Sequence, residues 1–340
     1  MIRLALLSTA GINDEIIEGA DESELVSVVG AASRDAERAE AYAAEHGLKR
    51  WWESYHALLA DPDVDAVYVA LPNSLHVEWS IRALEAGKHV LCEKPMGRDA
   101  GAVARAFDFA ERTGLVLMEA FMYRHHPQIK RARELLEEGA VGELRLVRAA
   151  FCSTLGRSDD VRWSPELGGG ALLDVGCYCV SGLRLLAGEP ESVFGERTLT
   201  ARGVDVRFAG TLRFPGGVLG HFSCGMDMAP SQELEAVGSE GALHVSHPFT
   251  ADVEGVEVRR GLTFAELEVE QVTVEHANRY RLQLENFARA VRGEEPPLLG
   301  RADAVAQART LDALLRSAET GLPSVVTWSA GRSRSDRRRS

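Results

Sequence analysis

The feature that most limits what this chain can fold into is the rhythm of its sequence before Phe121, where short apolar runs alternate with segments of helical spacing. The runs are Ile2–Leu7, Leu25–Ala32, Ala66–Leu71, His89–Cys92 and Leu115–Glu119. Between them, Asp35–His46, Leu75–Ala86 and Asp99–Thr113 read as helices, and Gly47, Gly87 and Gly114 stand where each should stop. Strand and helix repeating at this spacing specify an α/β unit with a parallel, doubly wound sheet, whose ligands sit at the carboxyl ends of the strands.

Past Phe121 the pattern changes. A helix at Pro127–Glu138 leads into a strand at Glu143–Cys152 and a second helix at Leu172–Leu186. Strand-like runs then follow with little helix between them: Val193–Thr200, Val204–Phe214, Val218–Met226, Leu234–Val237 and further sequence from Val253 to Val274. Pro215-Gly216-Gly217 and Gly238-Ser239-Glu240-Gly241 supply turns. Helices at Arg281–Arg292 and Arg301–Thr320 close the fold. The reading is an α/β domain at 1–121, an α+β domain with a large, mostly antiparallel open sheet at 122–329, and a disordered basic tail at 330–340.

Composition removes several classes of function. No apolar stretch is long enough to span a membrane, and the first residues lack the pattern of a secretory signal. Five cysteines without a C-x-x-C indicate neither a disulfide framework nor a zinc knuckle. A cytoplasmic protein is expected. The net charge of −13 argues against nucleic acid as a partner. For a metal site, His244-x-x-His247 and His125-His126 lack further ligands, so none is assigned, and Cys177 and Cys179 read as packing residues.

The turn after the first strand is where a dinucleotide fold cradles pyrophosphate. Its G-x-G-x-x-G/A slots hold Ser8, Ala10 and Asn13, so the glycine pattern is absent, but Ser8, Thr9, Ala10 and Gly11 are all small and the hydroxyls can donate to phosphate. A plain strand-to-helix turn is the competing reading. At the end of the second strand an NAD site places an acid; here Ser33-Arg34 stands instead, a pair suited to a 2′-phosphate. NADP is favoured over NAD. The alternative makes Ser33 a helix N-cap and Arg34 a solvated charge.

Glu93-Lys94-Pro95 then puts two charges at the end of an apolar strand, where they must face the crevice. With the approach from Asp61, this segment resembles the glucose–fructose oxidoreductase / inositol dehydrogenase / MocA family. The likeness continues through Leu117–Gln128 and Gly168–Pro190 and extends over nearly the whole chain. It implies a nicotinamide-binding Rossmann domain followed by an open-sheet domain, and oxidation or reduction of a carbinol or carbonyl carbon on sugars and polyols.

On that resemblance Lys94 is the active-site lysine and Asp174 the aspartate of the glycine-rich motif. Tyr178 stands where histidine is common, as in the branch of dimeric dihydrodiol dehydrogenases and NADP-dependent D-xylose dehydrogenases. The cofactor would meet Ser8, Thr9, Ala10, Ile12, Ser33, Arg34, Leu71, Asn73, His76, Glu93 and Lys94. A capping role for Asn73 and His76 is the alternative.

Hydride transfer to or from an alcohol carbon needs a partner for the hydroxyl proton. A tyrosine serves if a nearby cation lowers its pKa, so Tyr178 is read as the acid/base and Lys94 as its cation, with the roles open to exchange. Asp174, four residues earlier on a predicted helix, shares its face and would orient the substrate or hold Lys94. A core tyrosine and a Glu93–Lys94 ion pair are the bland readings.

Arg124 and His125 are expected on the substrate side, as are Arg162 and Trp163, although a core tryptophan is the usual case. The leading function is NADP-dependent oxidoreduction of an aldose or cyclic polyol. A trans-dihydrodiol dehydrogenase or a keto-sugar reductase of nucleotide-sugar biosynthesis is the alternative, and a non-catalytic NADP-sensing regulator is the alternative of another class. An apolar face left over on the second sheet is expected to pair copies, through strands between Val204 and Val274, into a dimer or tetramer.

Overall fold

A computed structural model describes residues 1–156, 160–250, 255–261 and 263–327. The basic tail from Gly331 lies outside them. In the first half, β1 (Ile2–Leu7), α1 (Asn13–Asp21), β2 (Val26–Ala32), α2 (Ala36–Glu45), β3 (Arg50–Trp52), α3 (Tyr55–Leu59), β4 (Ala66–Val69), α4 (His76–Glu85), β5 (His89–Glu93), α5 (Ala100–Thr113) and β6 (Leu117–Ala120) follow in order. Their strands make one parallel sheet in the order β3-β2-β1-β4-β5-β6. Leu4, Leu6, Leu7, Val67, Tyr68, Val69, Val90 and Leu91 are fully buried, which is why these strands read as unbroken apolar runs. The strand order reverses between β1 and β4, the point at whose carboxyl edge folds of this kind place their ligands. β3 and α3 are too short to be separable by periodicity.

The second half comprises α6 (Pro127–Glu137), β7 (Leu144–Thr154), α7 (Cys177–Ala187), β8 (Ser192–Leu199), β9 (Asp205–Arg213), β10 (Leu219–Gly225), β11 (Asp227–Gly238), β12 (Gly241–Ser246), β13 (Val256–Arg260), β14 (Glu268–Val272), α8 (Arg279–Val291), α9 (Arg301–Thr320) and β15 (Ser324–Val325). Its sheet runs β14-β13-β12-β11-β7-β10-β9-β8-β15, antiparallel throughout except for β7 with β10. A wide, π-type turn at Leu172–Gly176 leads directly into α7. The two closing helices return to the first sheet's layer, α8 packing on α1 and α9 on α5.

One face of the large sheet is apolar and covered: Val147, Ala149, Phe208, Phe222, Leu234, Ala236, Leu243, Val245 and Val258 belong to the core. The other face is less uniformly apolar than expected. In one register line it carries His221, Arg148, Glu235, His244 and Glu257. Arg148 pairs with Glu235, and Glu257 with Arg259. Strand side chains alternate between faces, and the neighbouring line on this same face carries Leu219, Leu146, Val237 and Ala242, so the outward surface is mixed.

Candidate functional site

Lys94 follows the last residue of β5, at the carboxyl edge of the parallel sheet. Its ammonium donates to the Asp174 backbone carbonyl at 3.0 Å and to the Asp174 carboxylate at 3.4 Å. It also lies 4.8 Å from the centre of the Tyr178 ring, within range of a cation–π contact. Burial disfavours the Lys94 charge, but the negative groups around it, Asp174 first, hold its pKa above the ordinary lysine value. The wide turn at 172–176 and the first turn of α7 bring Asp174 and Tyr178 to this one ammonium. Local irregularity of this kind recurs where helices carry functional groups.

The other Asp174 oxygen accepts from Arg162 at 3.3 Å, and Arg162 is clamped by Asp160 through two contacts of 2.9 Å. Arg162 therefore belongs to the same cluster. Its neighbour Trp163 is half-buried and packs against the core. The Tyr178 ring is enclosed by Phe121, Tyr123, Phe151 and Phe249. Its hydroxyl donates to the Met122 sulfur at 3.5 Å, and burial pushes its pKa well above the usual phenol value. The expected lowering of that pKa is not met in this state, because Lys94 sits over the ring and directs its protons to Asp174.

Glu93 accepts from the Tyr68 hydroxyl and from the Lys94 amide. Burial raises its pKa. Tyr68 is a partner that sequence reasoning missed; the signal was a hydroxyl inside an otherwise apolar strand. Tyr280 was missed as well. It is buried, and burial, then the Glu93 charge, push its hydroxyl up to about 12.

The loop after β1 fits a dinucleotide by its backbone. Ser8 has φ 154°, a value that glycine adopts more readily than other residues, so it occupies the first glycine slot in conformation. Thr9 and Ala10 are half-buried, Gly11 faces open space, and Ile12 packs on the core before α1. The Ser8 hydroxyl donates to the Ala70 carbonyl at 2.8 Å and accepts from the Ala10 amide, so it closes the turn instead of being free for phosphate. At the tip of β2, Arg34 is exposed beside the Tyr55 ring, while the buried Ser33 hydroxyl accepts from the Asp35 amide at 3.2 Å. Asp35, not Ser33, caps α2 by accepting from the Arg38 amide.

Several expected residues have other partners. His76 is buried with its two ring nitrogens on the Pro95 and Leu71 carbonyls at 2.9 and 2.7 Å. Burial lowers its pKa to about 4. It braces the Lys94-Pro95 turn and has no ring nitrogen left for a cofactor. Leu71, also buried, contributes that carbonyl. Asn73 donates to the Gly168 carbonyl at 2.9 Å and ties the glycine-rich segment to the first sheet.

Arg124 is directed to Ser181 at 3.3 Å and to Asp303 at 3.6 Å, within a buried network that also holds Arg184, Glu189 and Gln307. That network, not a substrate, satisfies its charge. The His125 Nε2 is buried without a hydrogen-bond partner among the described residues, and burial, then Arg124, lower its pKa to about 3. Among the described residues no group of three or more His, Cys, Asp or Glu side chains could hold a metal ion.

Known proteins resemble this chain in sequence and fold. Residues 8–121 match the family described as "Oxidoreductase family, NAD-binding Rossmann fold", and residues 129–244 match the GFO/IDH/MocA C-terminal domain. A D-xylose 1-dehydrogenase (NADP(+)) from Haloferax volcanii is 40% identical over 319 residues, 93% of this chain and 97% of the relative. A trans-1,2-dihydrobenzene-1,2-diol dehydrogenase from Oryctolagus cuniculus is 37% identical over 65% of this chain and 68% of its own. Among solved structures, a 3-ketoreductase from Actinomadura kijaniata in complex with NADP and TDP-benzene superposes with a TM-score of 0.86 at 34% identity, covering 93% of this chain and 97% of that one.

Proposed function

This chain belongs to the GFO/IDH/MocA oxidoreductase family, and we propose that it is an NADP-dependent oxidoreductase acting on a hydroxyl or carbonyl carbon of an aldose or related cyclic polyol. The observation that carries the reading is one ammonium, Lys94, joined to Asp174 and laid against Tyr178 at the carboxyl edge of the parallel sheet. The name of the Haloferax relative supports a sugar substrate. The 3-ketoreductase has been solved with a lysine replaced by alanine and with a tyrosine replaced by phenylalanine, at positions as far apart in that chain as Lys94 and Tyr178 are here.

The nicotinamide, when bound, supplies or accepts the hydride. The chain's part is to hold the nucleotide and to manage the proton. Backbone from Ser8 to Ile12 would meet the pyrophosphate, and Arg34 the 2′-phosphate. Both Lys94 and the Tyr178 phenol are protonated in this state, so each can give a hydrogen bond to substrate oxygen and a proton to an alkoxide that forms there. Asp174 orients the ammonium, and Arg162 holds the second carboxylate oxygen.

The likeness to the 3-ketoreductase supports a second reading, reduction of a keto-sugar, in which a proton donor acts at the start. Oxidation of an alcohol instead requires one group to have lost its proton. Both readings are separated by assaying Lys94→Ala and Tyr178→Phe against wild type, with D-xylose and D-glucose plus NADP and with a keto-sugar plus NADPH. Each variant should lose turnover by about 100-fold or more while retaining NADPH binding. Turnover preserved in both would sink the assignment.

Two further parts of the reading concern setting. All five cysteines are buried and free, which suits a reducing cytoplasm. The outer face of the large sheet, where ion pairs lie beside Leu146, Leu219 and Val237, would meet a second copy as a mixed, isologous interface. Light scattering that returns a monomer would remove the oligomer.

A further inference from the structure

Glu119 lies on β6 opposite Cys92 of β5 and is almost wholly buried. One of its carboxyl oxygens accepts the Met96 amide at 2.7 Å, and the other has no hydrogen-bond partner among the described residues. Pro95 has no amide hydrogen, so the Met96 N–H is the first backbone donor after Lys94. A neutral donor buried without an acceptor is costly, and Glu119 is the group that satisfies this one.

We propose that Glu119 is a positioning residue for Lys94: by holding the Met96 amide from the neighbouring strand, it fixes the turn from which the ammonium reaches Asp174 and Tyr178. This rests on the reading of Lys94 as part of the reacting centre. His76 pins the same turn from the other side through the Pro95 carbonyl. Glu119 and His76 thus hold the two ends of one peptide group, Pro95–Met96: Glu119 accepts from its N–H and His76 bonds its carbonyl.

Burial raises the Glu119 pKa to about 8, the Met96 hydrogen bond opposes it, Asp303 of α9 and Glu93 of β5 reinforce it, and Arg184 of α7 opposes it. The thiols of Cys92 on β5 and Cys177 on α7 face the same group. Below that pH the carboxyl is neutral and holds Met96 as an amide side chain would. Folding then takes up a proton, so the Glu119 contribution to stability falls as pH rises from the ordinary carboxylate range to about 8 and is level above it.

The experiment compares wild type, Glu119→Gln, Glu119→Ala and Lys94→Ala by crystal structure, NADPH titration, turnover of D-xylose with NADP, and melting on both sides of pH 8. Gln keeps an acceptor: Lys94 should stay in place, and the stability decline with pH should be lost. Ala removes it: Lys94 should leave Asp174, and turnover should fall about 30-fold with NADPH affinity within about twofold of wild type. If the Ala variant does not fold, Glu119→Leu, which also lacks an acceptor, is read in the same way. An undisplaced Lys94 in the Ala or Leu structure overturns the proposal. Turnover lost in Lys94→Ala but kept in Glu119→Ala removes Glu119 alone; turnover kept in Lys94→Ala removes the reading of the site and this role with it.

Discussion

The Lys94 ammonium is bound to Asp174 twice, through the backbone carbonyl at 3.0 Å and through the carboxylate at 3.4 Å. The first contact positions the lysine and survives substitution of the aspartate side chain. The second holds its charge. Burial alone would pull the Lys94 pKa down, and the surrounding acids, led by Asp174, reverse that. In Asp174→Asn the position remains and the compensation is lost. An opposite charge at this range is worth about 1–3 pKa units, so the alkaline limb of the kcat/KM profile should move to lower pH by that amount. The check is a pH–rate profile of both proteins; superimposable alkaline limbs would show that Lys94 does not control that ionisation.

Arg34 tests the cofactor separately from the chemistry. It is exposed at the tip of β2, where no acidic side chain occupies the strand's final position. A guanidinium pairing with a 2′-phosphate contributes about 1.5–3 kcal/mol, so Arg34→Ala should weaken NADPH roughly tenfold or more. NADH, which lacks that phosphate, should change by less than about threefold in the same charge-assisted accounting. Fluorescence titration of both nucleotides distinguishes this from general damage, since equal losses for the two would mean that Arg34 does not read the phosphate.

The sequence carries the parallel sheet clearly because strands buried on both faces leave unbroken apolar runs, and Glu93-Lys94 stands out because a charged pair ending such a run can only face a crevice. What it does not carry are partners far along the chain. Nothing local to His76 says that its two nitrogens will meet the carbonyls of Leu71 and Pro95, and nothing near Arg124 announces Asp303. The same limit applies to Tyr178: spacing places it near Asp174, but only the enclosing rings and the direction of the Lys94 ammonium determine its protonation. The outer face of the second sheet escapes for a different reason. A search for apolar runs finds its strands but discounts their alternation, and with it the outward residues His221, Glu235 and His244.

Gly170 links backbone conformation to the position of Asp174. It has φ 121°, where side chains are strained, and a Cβ added there would run into the Asp205 carboxylate. That carboxylate is buried, accepts the Leu172 amide at 2.8 Å, and so anchors the start of the wide turn containing Asp174. Gly170→Ala combines backbone strain with overpacking and should destabilise by about 2–4 kcal/mol. Gly114 provides the comparison: it ends α5 at φ 70° with nothing within 4 Å of the point where an added Cβ would stand, so Gly114→Ala should cost only about 1 kcal/mol from conformation. Urea unfolding gives both values, and the difference measures what Gly170 carries beyond an ordinary left-handed glycine: the collision with Asp205 and the additional strain at φ 121°. Turnover adds the functional consequence: it should fall in Gly170→Ala, where the anchor of the Asp174 turn is displaced, and remain at the wild-type level in Gly114→Ala. Equal destabilisation by the two substitutions, or an unchanged rate in Gly170→Ala, would detach Asp205 from the positioning of Asp174.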